Sequence, residues 1–150
     1  MYKNTFVHYL AKVLIDIMLS VGVVICIAIP WIIPYALPFF GYDSTQVFPY
    51  TAVLLTSGLC TLFILWQLKA IFATLIGGDP FVEANVSCFR KIAVACFLIA
   101  LIYVAKAFVL FSLTAIVFII IFALAGLFCL TLKDVFKQAI AYKEENDWTV

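Results

Sequence analysis

Charged side chains are scarce in this sequence. Of its 150 residues only 11% are Asp, Glu, Lys or Arg, whereas 67% are hydrophobic. Soluble domains average about 25% charged residues and about 45–50% apolar ones. A chain with so little charge does not have enough polar surface to coat a globule in water, so the composition predicts a membrane protein. The net charge of +1 gives no electrostatic basis for direct binding to nucleic acid.

The residue types that carry most enzymatic and metal chemistry are also scarce. The chain has one histidine, His8, and five cysteines without a CxxC pair, so neither a metal-ligand set nor a disulfide framework is expected. Glycine-rich phosphate loops and serine- or zinc-hydrolase motifs are absent. No long apolar stretch holds two carboxylates. We therefore expect a protein that is not an enzyme and that needs no cofactor.

Long apolar stretches are what the sequence does contain. A helix needs about 20 apolar residues to cross the hydrocarbon core of a bilayer. The last stretch is about twice that length and is expected to hold two helices joined by a tight turn, which we place at 106–114 because polar residues cluster there. The predicted spans are about 10–33, 50–76, 90–109 and 112–132. The fold class is thus all-α, a single domain of residues 1–150 built as a bundle of four transmembrane helices in the lipid bilayer.

The distribution of Lys and Arg predicts the orientation of these helices, because basic residues accumulate on the cytoplasmic side. They lie before the first predicted span, around the connection between the second and third, and after the fourth: Lys3, Lys12, Lys69, Arg90, Lys91, Lys133, Lys137 and Lys143. The loop 34–49 has none, and the turn after the third span has only Lys106. We therefore expect a multi-pass membrane protein with both termini in the cytoplasm.

Three prolines, Pro30, Pro34 and Pro38, lie at the end of the first predicted span and just after it. A proline in a helix interior removes a hydrogen bond and kinks the chain. We expect the first helix to end at these prolines and the segment 34–49 to lie along the outer interface. A lid over a ligand is the alternative.

Two ionisable side chains, Asp16 and Lys106, fall inside predicted spans, where holding a charge is costly. At a helix rise of about 1.5 Å per residue their depths differ by about 10–15 Å, too far for an ion pair. Lys106 is expected to reach the outer headgroups. Asp16 has a structural interpretation, pairing with Lys12, Lys69 or Lys133, and a functional one, binding a cation or proton in a small oligomeric transporter or channel.

Two segments outside the spans carry the remaining signals. In the connector 77–92, "GGDPFVEANVSCFRKI", Asp79 suits a helix N-cap and Pro80 the first helical position. We predict a short interfacial helix that starts at Pro80 and runs into the third span. After the fourth span an apolar stripe at helical spacing predicts a cytoplasmic extension of the fourth helix over about 133–145, followed by a tail to residue 150.

These two segments resemble the signatures of a family of small bacterial membrane proteins, domain of unknown function 2975. "GGDPFVEANVSCFRKIA" resembles its connector motif and "VFKQAIAYKEENDWTV" its C-terminal signature, with Trp148 where leucine is commoner. The resemblance rests on seven positions: Pro80, Phe81, Asn85, Arg90, Glu145, Asp147 and Thr149. It implies four spans, no established catalytic activity, and a gene that often lies beside one for a small helix-turn-helix regulator.

The resemblance thus implies a protein of the bacterial cytoplasmic membrane, and we expect it to work through contacts on its cytoplasmic face, tethering or restraining such a regulator. The candidate contact residues are Asp79, Pro80, Phe81, Asn85, Arg90, Phe136, Glu145, Asp147, Trp148 and Thr149. Besides transport through Asp16, the alternative is a stress or immunity protein that uses the loop 34–49. Small residues within the spans also permit a homo-oligomer.

Overall fold

The computed structural model describes residues 6–149, which leaves Lys3 and Val150 outside the described part of the chain. Four long helices follow one another: α1 (Phe6–Phe39), α2 (Val47–Ile76), α3 (Glu83–Val109) and α4 (Leu113–Trp148), with a short 3-10 turn at Ser44–Gln46 before α2. The described residues contain no strand. Each long helix is apolar enough to cross a membrane. The predicted class, an all-α protein with four membrane helices, is confirmed.

Helix α1 does not end at its prolines. It continues through Pro30, Pro34 and Pro38 to Phe39, so the expectation that the first helix stops there was wrong. Their spacing of four places the three exposed rings along one side, and membrane helices tolerate proline because an unwound backbone in lipid would leave polar groups unsatisfied. The non-helical part of the predicted interfacial segment 34–49 is therefore short and follows Phe39, where Gly41 has a φ of +81°.

The prediction for the start of α3 was also wrong. The helix begins at Glu83 instead of Pro80, and Asp79 does not cap it. The N-cap residue is Val82, in an extended conformation and without a side-chain capping bond. The residues from Asp79 to Phe81 are irregular backbone. The Asp79 carboxylate and the Pro80 carbonyl have partners on α4 and α3 that are described below.

Helix α3 lies at the centre of the packing. It contacts both α2 and α4, and it buries far more of its residues than any other helix. Its buried face includes Ala93 and Ile99, which are fully inaccessible. By contrast α1 packs against α2 and the 3-10 turn, and within the described residues none of its Cα atoms lies within 8 Å of one in α3 or α4. The bundle is therefore open, with α1 at its edge.

The turn between α3 and α4 lies at 110–112, inside the interval that the polar residues indicate. Ser112 is the N-cap of α4, and its side chain accepts a hydrogen bond from the backbone N–H of Ala115 at 3.3 Å. A serine at this position satisfies one of the free N–H groups of the first helical turn. The tight connection keeps α3 and α4 antiparallel and adjacent.

Glycines permit close approach between α1 and α2. A methyl group added at Gly58 would lie 2.8 Å from Cys26 Sγ, and one added at Gly22 would lie 2.8 Å from Leu62 Cδ2. Both distances are shorter than carbon and sulfur atoms allow without a shift. Small residues at such contacts let helices approach in lipid, where the hydrophobic effect does not favour helix over lipid contacts.

We predict that Gly58→Ala lowers stability through its contact with Cys26. Because alanine also has the better helix propensity, the contact is isolated by comparing Gly58→Ala in the native and the Cys26→Ala backgrounds. Unfolding in mixed micelles should show a coupling free energy of about 1 kcal/mol between the two positions. The same penalty for Gly58→Ala in both backgrounds would show that the two side chains do not meet.

Candidate protein-contact surface

The side chain of Asn85 joins the end of α2, the connector and the start of α3. It is 1% exposed, and its Nδ2 donates hydrogen bonds to Thr74 Oγ1 and to the Pro80 carbonyl, both at 2.7 Å. Thr74 Oγ1 in turn donates to the Ile71 carbonyl at 2.7 Å. The chain leaves α2 through Gly78, whose φ of +86° suits glycine. A single carboxamide thus holds the connector in one conformation.

The C-terminal half of α4 lies against this connector. Lys143 Nζ contacts both carboxylate oxygens of Asp79, at 2.9 and 3.0 Å. Nearer the membrane, the Phe136 ring packs against Phe81, with centroids 5.3 Å apart, and against Phe89 at 4.9 Å. We call the combination of residues 79–81 and residues 136–149, which are the end of α4 and its C-cap Thr149, the connector–α4 surface.

The structure brings nine of the ten predicted contact residues to this surface or directly behind it, although not all are accessible. Asp79, Pro80, Phe81, Asn85 and Phe136 share one cluster, but Pro80 and Asn85 are buried and serve the fold. Phe81 remains 40% exposed. Sequence reasoning missed the contacts of Thr74 and Lys143, since each side chain meets its partner only through the tertiary fold.

The predicted tail residues belong to the last turns of α4, which is helical to Trp148. Glu145, Asp147, Trp148 and Thr149 are all exposed, and the indole of Trp148 is 88% exposed. Thr149 Oγ1 donates to the Asn146 carbonyl at 2.9 Å and so closes the helix end. Between Phe81 and these turns lies an open cavity of about 680 Å³.

Arg90 does not join the connector–α4 surface. Its side chain is exposed and lines a separate groove between α2 and α3 together with Lys91. The connector motif therefore divides between two sites, with Asp79 and Phe81 facing α4 and Arg90 facing the groove.

The two charges inside the spans have separate partners. Asp16 Oδ1 lies 2.7 Å from Lys69 Nζ, which selects Lys69 among the three expected partners and links α1 to α2. The Lys106 ammonium lies over two aromatic rings, 4.8 Å from the Tyr50 centroid and 5.7 Å from that of Tyr103. Such cation–π contacts stabilise a charge away from bulk water.

Within residues 6–149 no group of three His, Cys, Asp or Glu side chains is placed to hold a metal ion. The polar side chains at the connector–α4 surface are carboxylates, two lysines, two amides and hydroxyl groups, and the hydrogen bonds described among them join Lys143 to Asp79 and Thr149 to the helix backbone. The surface thus combines charged, hydroxyl and aromatic side chains.

The four long apolar helices define a multi-pass helical membrane protein. A family model described as "Protein of unknown function (DUF2975)" matches residues 41–150, and the chain belongs to this family. The match begins just after α1 and includes α2, α3, α4 and the connector–α4 surface, so the resemblance drawn from the two sequence segments is confirmed. Comparisons with curated proteins and with solved structures give no match.

We predict that Asn85→Ala destabilises the protein by about 2–3 kcal/mol, because it removes two buried hydrogen bonds and leaves the Pro80 carbonyl without its donor. Denaturation in micelles measures the change, and hydrogen exchange should show faster exchange in 77–84. Asn146→Ala, on the exposed surface of α4, is the matched control and should stay within about 0.5 kcal/mol. Equal effects of the two changes would argue against an anchoring role for Asn85.

We predict that Asp16 and Lys69 act as an ion pair that places α1. Asp16→Lys and Lys69→Asp each put two like charges side by side and should lower the amount of folded protein in membranes several-fold. The double exchange, Asp16→Lys with Lys69→Asp, restores opposite charges and should recover most of the loss. Quantitative blotting of membrane fractions gives the measurement. Failure of the double exchange to improve on either single change would contradict the pairing.

Proposed function

We propose that this protein acts in the bacterial cytoplasmic membrane, with both termini in the cytoplasm, as a docking platform for a small helix-turn-helix regulator. The positions of Lys and Arg support this orientation, because they cluster at the end of the molecule that holds the connector–α4 surface. The observation that carries the proposal is the pre-organised connector–α4 surface itself. Its backbone is fixed internally while its aromatic and acidic side chains remain exposed.

The charge of this surface suits such a partner. Glu144, Glu145 and Asp147 are exposed in the last turns of α4, and none has a cation within 4 Å in the described part of the chain. Helix-turn-helix proteins present basic surfaces to the phosphates of DNA. A basic surface of this kind is complementary to three carboxylates, and the exposed Trp148 offers the aromatic anchor that interfaces favour.

The structure gives less support to the two alternative functions, ion transport and immunity. Asp16 is engaged by Lys69, which favours a structural role over ion transport. Most of the segment 34–49 is helical, as the end of α1, the 3-10 turn and the start of α2, so little of it is left as a loop for an immunity function.

We predict that neutralising the tail weakens capture of the regulator encoded beside this gene. Glu144→Gln, Glu145→Gln and Asp147→Asn together should reduce co-purification from membranes about tenfold, at about 0.5 kcal/mol for each exposed charge contact. Deletion of residues 144–150 should abolish it while leaving Lys143 paired with Asp79. The matched control is Asp43→Asn, an exposed carboxylate near the opposite end of α2.

A photoreactive residue at position 148 should crosslink the regulator. One at position 39 should not, because Phe39 is equally exposed but lies at the opposite end of the molecule, where α1 ends. Duplex operator DNA should compete with capture if the tail contacts the DNA-binding surface. Undiminished co-purification after deletion of 144–150 would remove the tail from the proposal. Crosslinking from position 39 alone would reverse the orientation.

A further inference from the structure

A groove of about 450 Å³ runs between α2 and α3. Buried Ala95 and half-buried Cys60 line its base. Larger exposed side chains stand at its sides: Leu59, Phe63, Val94 and Leu98. Small residues between large ones leave a channel parallel to the helices, within the size range of about 300–1,000 Å³ that small-molecule sites occupy.

Two cations close one end of this apolar groove. Arg90 and Lys91 line it one turn before Val94, and both are exposed. No carboxylate in residues 6–149 lies within 4 Å of either side chain, whereas three lysines of the protein have such partners: Lys69, Lys133 and Lys143. The groove therefore combines an apolar channel with two positive charges that no carboxylate of the described chain neutralises.

We propose that this groove binds an anionic phospholipid, with an acyl chain along the channel and the headgroup phosphate on Arg90 and Lys91. Basic pockets between membrane helices bind anionic headgroups, and a guanidinium matches phosphate with two parallel hydrogen bonds. The site is distinct from the connector–α4 surface, and its occupation does not depend on whether a regulator docks there.

The cations also decide between lipid and other occupants. A second copy that packed an apolar helix face into the groove would enclose two positive charges without an anion, which is unfavourable. Beyond Leu98 the same side of α3 continues to Lys106, but that ammonium is already held over Tyr50 and Tyr103. The end at Arg90 is the one with free positive charge, and in the proposed orientation it faces the cytoplasmic leaflet.

The chain carries its own reporter for this site. Trp66 is 63% exposed. It lies seven residues after Leu59 and three after Phe63, which places all three side chains along one stripe of α2. In a Trp31→Phe, Trp148→Phe protein it is the sole tryptophan. We would reconstitute this protein in phosphatidylcholine bilayers that contain a minor fraction of either brominated phosphatidylglycerol or brominated phosphatidylcholine, and measure quenching of Trp66 fluorescence.

Brominated phosphatidylglycerol should quench Trp66 at about tenfold lower mole fraction than brominated phosphatidylcholine, because each basic residue contributes to headgroup binding. Arg90→Gln with Lys91→Gln should remove the preference. The matched control, Lys12→Gln with Lys137→Gln, takes two positive charges from the same end of the molecule but away from the groove, and should keep it. Ala95→Leu fills the base and should also reduce the preference.

Equal quenching by the two lipids, which occupation of the groove by a second copy would also produce, would overturn the proposal. So would a preference that survives Arg90→Gln with Lys91→Gln, or one that the Lys12→Gln, Lys137→Gln control loses to the same degree. If the Ala95→Leu protein fails to insert into the bilayer, the Arg90→Gln, Lys91→Gln variant decides the question, because both of its substituted side chains are exposed.

Discussion

The structure depends on the burial of one face of α3 against two helices at once. In lipid the hydrophobic effect does not reward helix contact over lipid contact, so association must come from close packing and from polar contacts. Helix α3 supplies both. Ala93 and Ile99 are fully inaccessible, and at the start of the helix Asn85 fixes the register against α2 through Thr74. Because the same carboxamide holds the Pro80 carbonyl, the packing of α3 also determines the shape of the connector.

Helix α1 depends on different forces. It touches only α2 and the 3-10 turn among the described elements, through the close approaches at Gly22 and Gly58 and the ion pair between Asp16 and Lys69. The family match begins at residue 41, after this helix ends. The protein thus consists of a three-helix unit, which carries the connector–α4 surface and the groove, and a peripheral helix fastened to α2 by one charge pair and small residues.

The parts of this architecture that follow from local chemistry could be predicted from the sequence. The lengths of the apolar stretches predicted the four spans, and the polar residues around Ser112 predicted the position of the last turn. The failures have physical causes. The proline rule describes helices whose freed carbonyls can turn to water, and lipid offers no such partner, so α1 continues through Pro30 and Pro34. Asp79 was expected to cap a helix, but its carboxylate is bound by Lys143, 64 residues away.

The candidate contact surface was predictable from the sequence only in outline, because it too depends on contacts between residues far apart in the chain. Motif positions marked the connector and the tail as distinctive, yet they did not show that Asn85 and Pro80 are buried for the fold whereas Glu145 and Trp148 are exposed. That division depends on how α4 lies across the connector. It also separates Arg90 from the rest of the motif and gives it to the groove.

The length of α4 separates the two proposed sites electrostatically. From the end of the predicted span at 132 to Trp148 the helix rises about 24 Å, whereas an anionic membrane surface is screened within about 8 Å at physiological ionic strength. In the proposed orientation Arg90 and Lys91 would lie where α3 enters the membrane, and anionic headgroups would neutralise them. The acidic turns of α4 would lie beyond the reach of that negative surface. A basic partner would therefore meet the carboxylates of the tail in water, where lipid does not compete for its charge.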